Sequence, residues 1–150
     1  MELLVVIAVM AVLSAIMLVV LDPVRKNKQA RDASRKSSMA QIAGGISNYY
    51  TLKSVYTQSL SDLKPDELKT VPKNPTGAEF FYVAYGENLP DCSTQEKNCT
   101  KAVLYDVYES PKTLCPSGTA YWAWTSSSGR LGKICSMGIP SPMDMPTDDL

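Results

Sequence analysis

Histidine is absent from the 150 residues. Its absence removes imidazole acid/base catalysis, the Ser/His/Asp and Cys/His nucleophile systems, and the commonest zinc ligand. Enzymatic readings lose most of their candidates, and no catalytic residue is assigned. An excess of either charge is also missing, because fifteen Lys and Arg side chains cancel fifteen Asp and Glu. No global field recruits nucleic acid or an anionic surface, so net charge predicts no polyanion binding and no specific nucleic-acid partner.

What is present is a long apolar run. Leu3 to Leu21 is interrupted in polarity only by Ser14, and as a helix at about 1.5 Å per residue it reaches roughly 28 Å, close to a bilayer hydrocarbon core. A secretory signal core is usually about 7–15 residues long, preceded by positive charge and followed by a small-residue cleavage site. This run has none of those features. At its end, Asp22-Pro23 favours an extended residue before proline, which predicts a kink or short interruption. Arg25, Lys26, Lys28, Arg31, Arg35 and Lys36 follow, and the positive-inside rule alone places that flank in the cytoplasm. The cysteines point the other way. Cys92, Cys99, Cys115 and Cys135 form an even set confined to the polar part of the chain, as expected of disulfides in an oxidising compartment. A positively charged leader removed in processing would reconcile the two signals.

From Val24 to about Leu52 the composition stays helix-forming. Met39, Ile42, Ile46 and Tyr49 make an apolar stripe able to seat a globular domain, with Arg31, Arg35 and Ser38 read as lying off it. Gly44-Gly45 costs about 1 kcal/mol each relative to alanine, so either close packing or local looseness is expected there. The polar connector 57–63 and the proline-punctuated stretch 64–75 read as loop with one or two short helical turns. Phe80 to Tyr85, Lys101 to Glu109, Ala120 to Thr125 and Leu131 to Cys135 read as strands, with turn chemistry at Ser126 to Gly129. Alternation in the second, Val103, Tyr105 and Val107 against Leu104, Asp106 and Tyr108, predicts a sheet with one buried side. The tail from Ser136 to Leu150 reads as an irregular surface segment, ordered by contact with neighbouring subunits. The expected fold is α+β: a long kinked N-terminal helix packed on an antiparallel sheet of about four strands. The segments are 1–23 (transmembrane or filament-core helix), 24–54 (amphipathic helix), 55–135 (β-rich domain) and 136–150 (tail).

Four cysteines allow three pairings. Cys92 with Cys99 and Cys115 with Cys135 is preferred because each closes a local loop, the second for about 3 kcal/mol. Zinc is the rival reading, but the spacings lack a paired C-x₂₋₄-C element. Glu87, Asn88, Asp91, Ser93 and Glu96 place oxygen ligands in one loop, a calcium alternative that matches no EF-hand pattern, so no cofactor is assigned. Asn98-Cys99-Thr100 fits a glycosylation sequon by letter, in competition with a disulfide at Cys99. The tyrosines and tryptophans read as core and inter-subunit packing.

Glu2-Leu3-Leu4-Val5-Val6-Ile7-Ala8, the apolar run to Leu21, the following proline, the amphipathic helix and the small cysteine-bearing sheet together resemble the type IV pilin and pseudopilin superfamily. Weaker similarity extends through Ala30 to Ser37 and Ile46 to Tyr50. Val71-Pro72-Lys73-Asn74-Pro75-Thr76-Gly77 followed by Phe81-Tyr82-Val83 is similar to the entry into the sheet of major pseudopilins. Members of the family begin, after leader removal, with an N-methylated phenylalanine shortly before a glutamate, whereas Met1 immediately precedes Glu2 here. A carboxylate at the edge of an apolar helix is expensive in hydrocarbon unless paired. The resemblance implies a free α-amino group on an adjacent subunit as the partner of Glu2, setting axial register during assembly. The plainer reading puts Glu2 among headgroups, where an acidic residue at a helix N-terminus is favoured by roughly 0.3–1 kcal/mol.

The expected function is that of a structural subunit of an extracellular type IV pilus, a helical homopolymer drawn from a membrane-inserted pool by assembly machinery in the inner membrane. The first alternative is the major pseudopilin of a type II secretion system, spanning the periplasm. The second is a membrane-anchored binding domain that never polymerises.

Overall fold

A computed structural model describes residues 2–86, 92, 99–110, 115 and 117–147, excluding the side chains of residues 17–21. Helix α1 runs Glu2–Leu21 and helix α2 runs Pro23–Lys53, so a single residue, Asp22, separates them. Asp22 is left-handed (φ 40°, ψ 73°) rather than extended as expected before proline. Aspartate is among the few residues that visit this region, because its short carboxylate bonds the local backbone. Here the carboxylate accepts from the Arg25 N–H at 3.3 Å and the Asp22 carbonyl accepts from the Lys26 N–H at 3.2 Å. Pro23 occupies the first turn, where its missing N–H costs nothing. The far end of α2 is closed by Ser54, also left-handed, whose N–H bonds the Tyr50 carbonyl at 2.7 Å.

A 3₁₀ turn, Leu60–Leu63, is capped by Ser59 and Asp62 in a reciprocal capping box. Four strands follow: β1 Phe81–Tyr85, β2 Lys101–Val107, β3 Thr119–Thr125 and β4 Leu131–Ser136. They form one antiparallel sheet in chain order. Period-two alternation turns Ala84, Ala102, Leu104, Trp122 and Trp124 towards α2, where they pack with Met39, Ile42 and Ile46. Tyr49 is partly buried against the same core.

The expectation of a single buried side is corrected. Val103, Tyr105, Ala123 and Ile134 form a second buried cluster on the opposite face, with Val83, Tyr85 and Tyr121 against it. The tail is the physical reason. Instead of waiting for a neighbouring subunit, it folds back on its own chain, exchanging backbone hydrogen bonds between Thr147 and Lys133 at 2.9 and 3.1 Å. Pro140 is fully buried, and Ser127 Oγ donates to the Pro142 carbonyl. Gly132 permits the approach: a Cβ there would lie 2.6 Å from the Thr147 oxygen and 2.8 Å from Pro146 Cβ. Asp144 comes near enough to Tyr85 to reinforce burial, the larger cause, in raising that phenol's pKa.

Candidate assembly surface

Helix α1 satisfies its own backbone, and Ser14 Oγ also turns inward, donating to the Met10 carbonyl at 2.8 Å. Its apolar side chains find no such satisfaction. Leu3 is 78% exposed and Ile7, the least exposed of the large ones, is still 53% exposed. Leu4, Val5, Ala8, Val9, Val12 and Leu13 line a shallow, almost wholly apolar groove on one side of the helix. These positions form two i, i+4, i+8 rows, Leu4-Ala8-Val12 and Val5-Val9-Leu13, with the small Ala8 lowering the first, the geometry into which the ridge of another helix packs. Glu2 stands exposed in the first turn. Among the described residues no helix is long and apolar enough to cross a membrane; Leu3 to Ile16 is the part of the apolar run with described side chains.

The first half of α2 is fastened to the sheet by charge rather than by apolar packing. Arg35 is only 4% exposed. Its Nε donates to Asp106 Oδ2 at 3.1 Å, its Nη1 to Asp32 Oδ1 at 3.0 Å, and its Nη2 to Glu109 Oε1. Arg31 holds the other Glu109 oxygen at 2.6 Å, and Asn74 Nδ2 donates to Asp106 Oδ2 at 3.3 Å. Burial alone would raise the Glu109 carboxyl, but the hydrogen bonds and charges of Arg35 and Arg31 hold it below its ordinary value. Burial would likewise lower the Arg35 pKa, and the surrounding carboxylates instead raise it.

Reading Arg35 as lying off the apolar stripe is therefore corrected. It precedes Met39 by four residues and continues the row through Ile42 and Ile46, so it shares their buried face. Two signals pointed there: that spacing, and Asp106 in the middle of a strand, where aspartate is disfavoured.

The other sequence-derived positions fall as follows. Pro23 sits at the start of α2, and the expected interruption is Asp22. Both chosen disulfides are present, Cys92–Cys99 and Cys115–Cys135, with Cα separations of 5.1 and 5.6 Å. Glu87, Asn88, Asp91, Ser93 and Glu96, the calcium alternative, lie outside the described residues, as does Asn98 of the sequon. Among the described residues no cluster of three cysteine or acidic side chains is placed to hold a metal ion. Glu2, the break at Asp22 and the ion cluster line up along the two helices in chain order without converging on one pocket. No protein-family model, curated protein or solved structure matches the chain.

Proposed function

We propose that the chain is a structural subunit of a type IV pilus, with α1 held in a membrane before assembly and then buried in the core of a helical homopolymer. The observation that carries this reading is the all-round exposure of the apolar side chains from Leu3 to Ile16. An apolar surface of that extent on a folded chain requires an external cover. The groove around Ala8 supports cover by another helix of the same kind. Assembly machinery in the inner membrane moves the subunit from one environment to the other. The break at Asp22 bends the helix so that α1 and the domain on α2 occupy separate layers.

Glu2 pairs in this reading with the α-amino group of an adjacent subunit. Breaking a buried pair by removing one partner costs roughly 3–5 kcal/mol, so Glu2→Ala is expected to bring filament number below detection in electron micrographs. Filaments of undiminished number and length would sink the assembly role. Micrographs of sheared surface fractions separate the alternatives: abundant long fibres at native expression favour a pilus. Their absence favours a periplasmic pseudopilin or a non-polymerising anchored domain.

A further inference from the structure

Six basic side chains follow the apolar run, and the fold itself engages three of them. Arg31 and Arg35 are held by Glu109, Asp32 and Asp106, and the Lys36 ammonium lies 5.0 Å from the Trp122 ring centroid. The other three are Arg25, Lys26 and Lys28. Arg25 reaches Asp22 at 4.0 Å with both side chains about half exposed, a weak pair in water. Lys26 and Lys28 make no ion pair with any described residue. The first turn of α2 contains no acidic side chain and the N-cap Asp22 supplies the one nearby carboxylate, so Arg25 and Lys26 stand near the positive end of a helix dipole, where cations are disfavoured, and Lys28 lies one turn further on. Apart from the weak Arg25–Asp22 pair, none of the three has an ion pair within the described domain.

Their position along the axis says where the gain lies. Arg25, Lys26 and Lys28 lie four to seven residues past Leu21, so on either side of the break at Asp22 they stay within roughly 10 Å of the end of the apolar run. A headgroup layer occupies about 5–8 Å on each side of the hydrocarbon. At about 100° per residue the three side chains also span roughly 160° of the helix circumference.

We propose that Arg25, Lys26 and Lys28 form a collar that binds the phosphates of anionic phospholipids while α1 is stored in a bilayer. The inference rests on the membrane-storage part of the proposed function. It also accounts for why positive charge follows the span on the side that carries disulfides. Net neutrality of the chain does not oppose it, because at about 0.1 M salt charges more than roughly 10 Å away are screened. Each such cation favours an anionic surface enough that three give roughly a 10- to 100-fold preference at about 0.1 M salt.

Full-length chain in detergent is transferred, by detergent removal, into a mixture of two distinguishable vesicle populations: phosphatidylcholine alone, and phosphatidylcholine with phosphatidylglycerol. Each population is recovered by flotation. At about 0.1 M salt the anionic vesicles are expected to capture roughly 10- to 100-fold more protein, falling towards parity at about 1 M. R25Q/K26Q/K28Q is expected to float as completely but to divide almost equally, with K26Q/K28Q intermediate. Equal capture of the wild-type chain, or a preference retained by the triple variant, overturns the collar. Salt-sensitive self-association in lipid-free micelles, lost in the triple variant and without any vesicle preference, assigns the cations to a second copy and also overturns it. Failure to float with either population overturns the membrane reading itself, a result distinct from equal division between the two.

Discussion

The two helices that follow one another across Asp22 solve opposite problems with similar backbones. In α1 every described large apolar side chain is more than half exposed, so no face is set apart for the chain's own core. In α2 the buried residues, among them Asp32, Arg35, Met39, Ile42 and Ile46, fall on one stripe, and the remaining surface is mostly polar, with Val24 and Leu52 its exposed large aliphatic side chains. A helix with one buried stripe belongs to a domain, and one that is apolar all round belongs to an environment the chain does not itself provide. The change from one pattern to the other falls at the single left-handed residue between them, Asp22.

The largest effect that would break this comparison is at Arg35. Replacing it by alanine leaves Asp32, Asp106 and part of Glu109 buried without their cation, and removal of one partner from such a cluster costs roughly 3–5 kcal/mol. Urea unfolding of the full-length chain in detergent is the measurement, and a midpoint unchanged from wild type would show that charge does not hold α2 to the sheet. The cluster also sets an acid limit. Glu109 titrates below its ordinary value of 4.5 when folded. Its contribution is therefore present above the unfolded value and lost as pH falls through the lower folded value. Wild-type stability should decline from about pH 4.5 downwards, and Arg35→Ala should show a shallower decline.

A matched pair of truncations sharpens the contrast directly. Met39 is fully buried in the core between α2 and the sheet, whereas Leu13 lies exposed beside the groove of α1. Met39→Ala is expected to cost roughly 2–5 kcal/mol of domain stability. Leu13→Ala should change the same unfolding curve by less than about 0.5 kcal/mol while reducing filament yield. If both variants lowered domain stability alike, α1 would be part of the domain core and the division at Asp22 would fail.

Much of the fold was legible because its signals are local. The stripe Met39, Ile42, Ile46 and Tyr49 and the four strands were read nearly to their observed limits. The disulfides followed from short loops, with sequence separations of 7 and 20 residues. What escaped depends on distant partners. The spacing of Arg35 from Met39 marks its face, but its partners Asp106 and Glu109 lie 71 and 74 residues away, and no local window shows that they meet it. The second buried face escaped for the same reason: the tail covering it has no period of its own, and its order comes from β4 and the buried Pro140. Glu2 and the apolar run were the plainest features of the candidate surface, since an uncovered helix needs no tertiary partner to be read.

The smallest effect separates adjacent residues. A Cβ at Gly45 would lie 3.0 Å from Leu68 Cγ and 3.1 Å from Cδ1, so this glycine permits close packing; a Cβ at Gly44 would meet nothing within 4 Å. The two readings of the Gly44-Gly45 pair thus divide between its members. Gly44→Ala removes backbone freedom at no steric cost within the subunit and should stabilise the domain by about 1 kcal/mol. At Gly45 the same gain is offset by displacement of Leu68, leaving a change near zero or below. The informative outcome comes from comparing unfolding with filament yield. If Gly44→Ala stabilises the domain but lowers the yield, the outer face of α2 is packed closely against a neighbouring subunit. Unchanged yield would leave the close helix packing of the filament to α1.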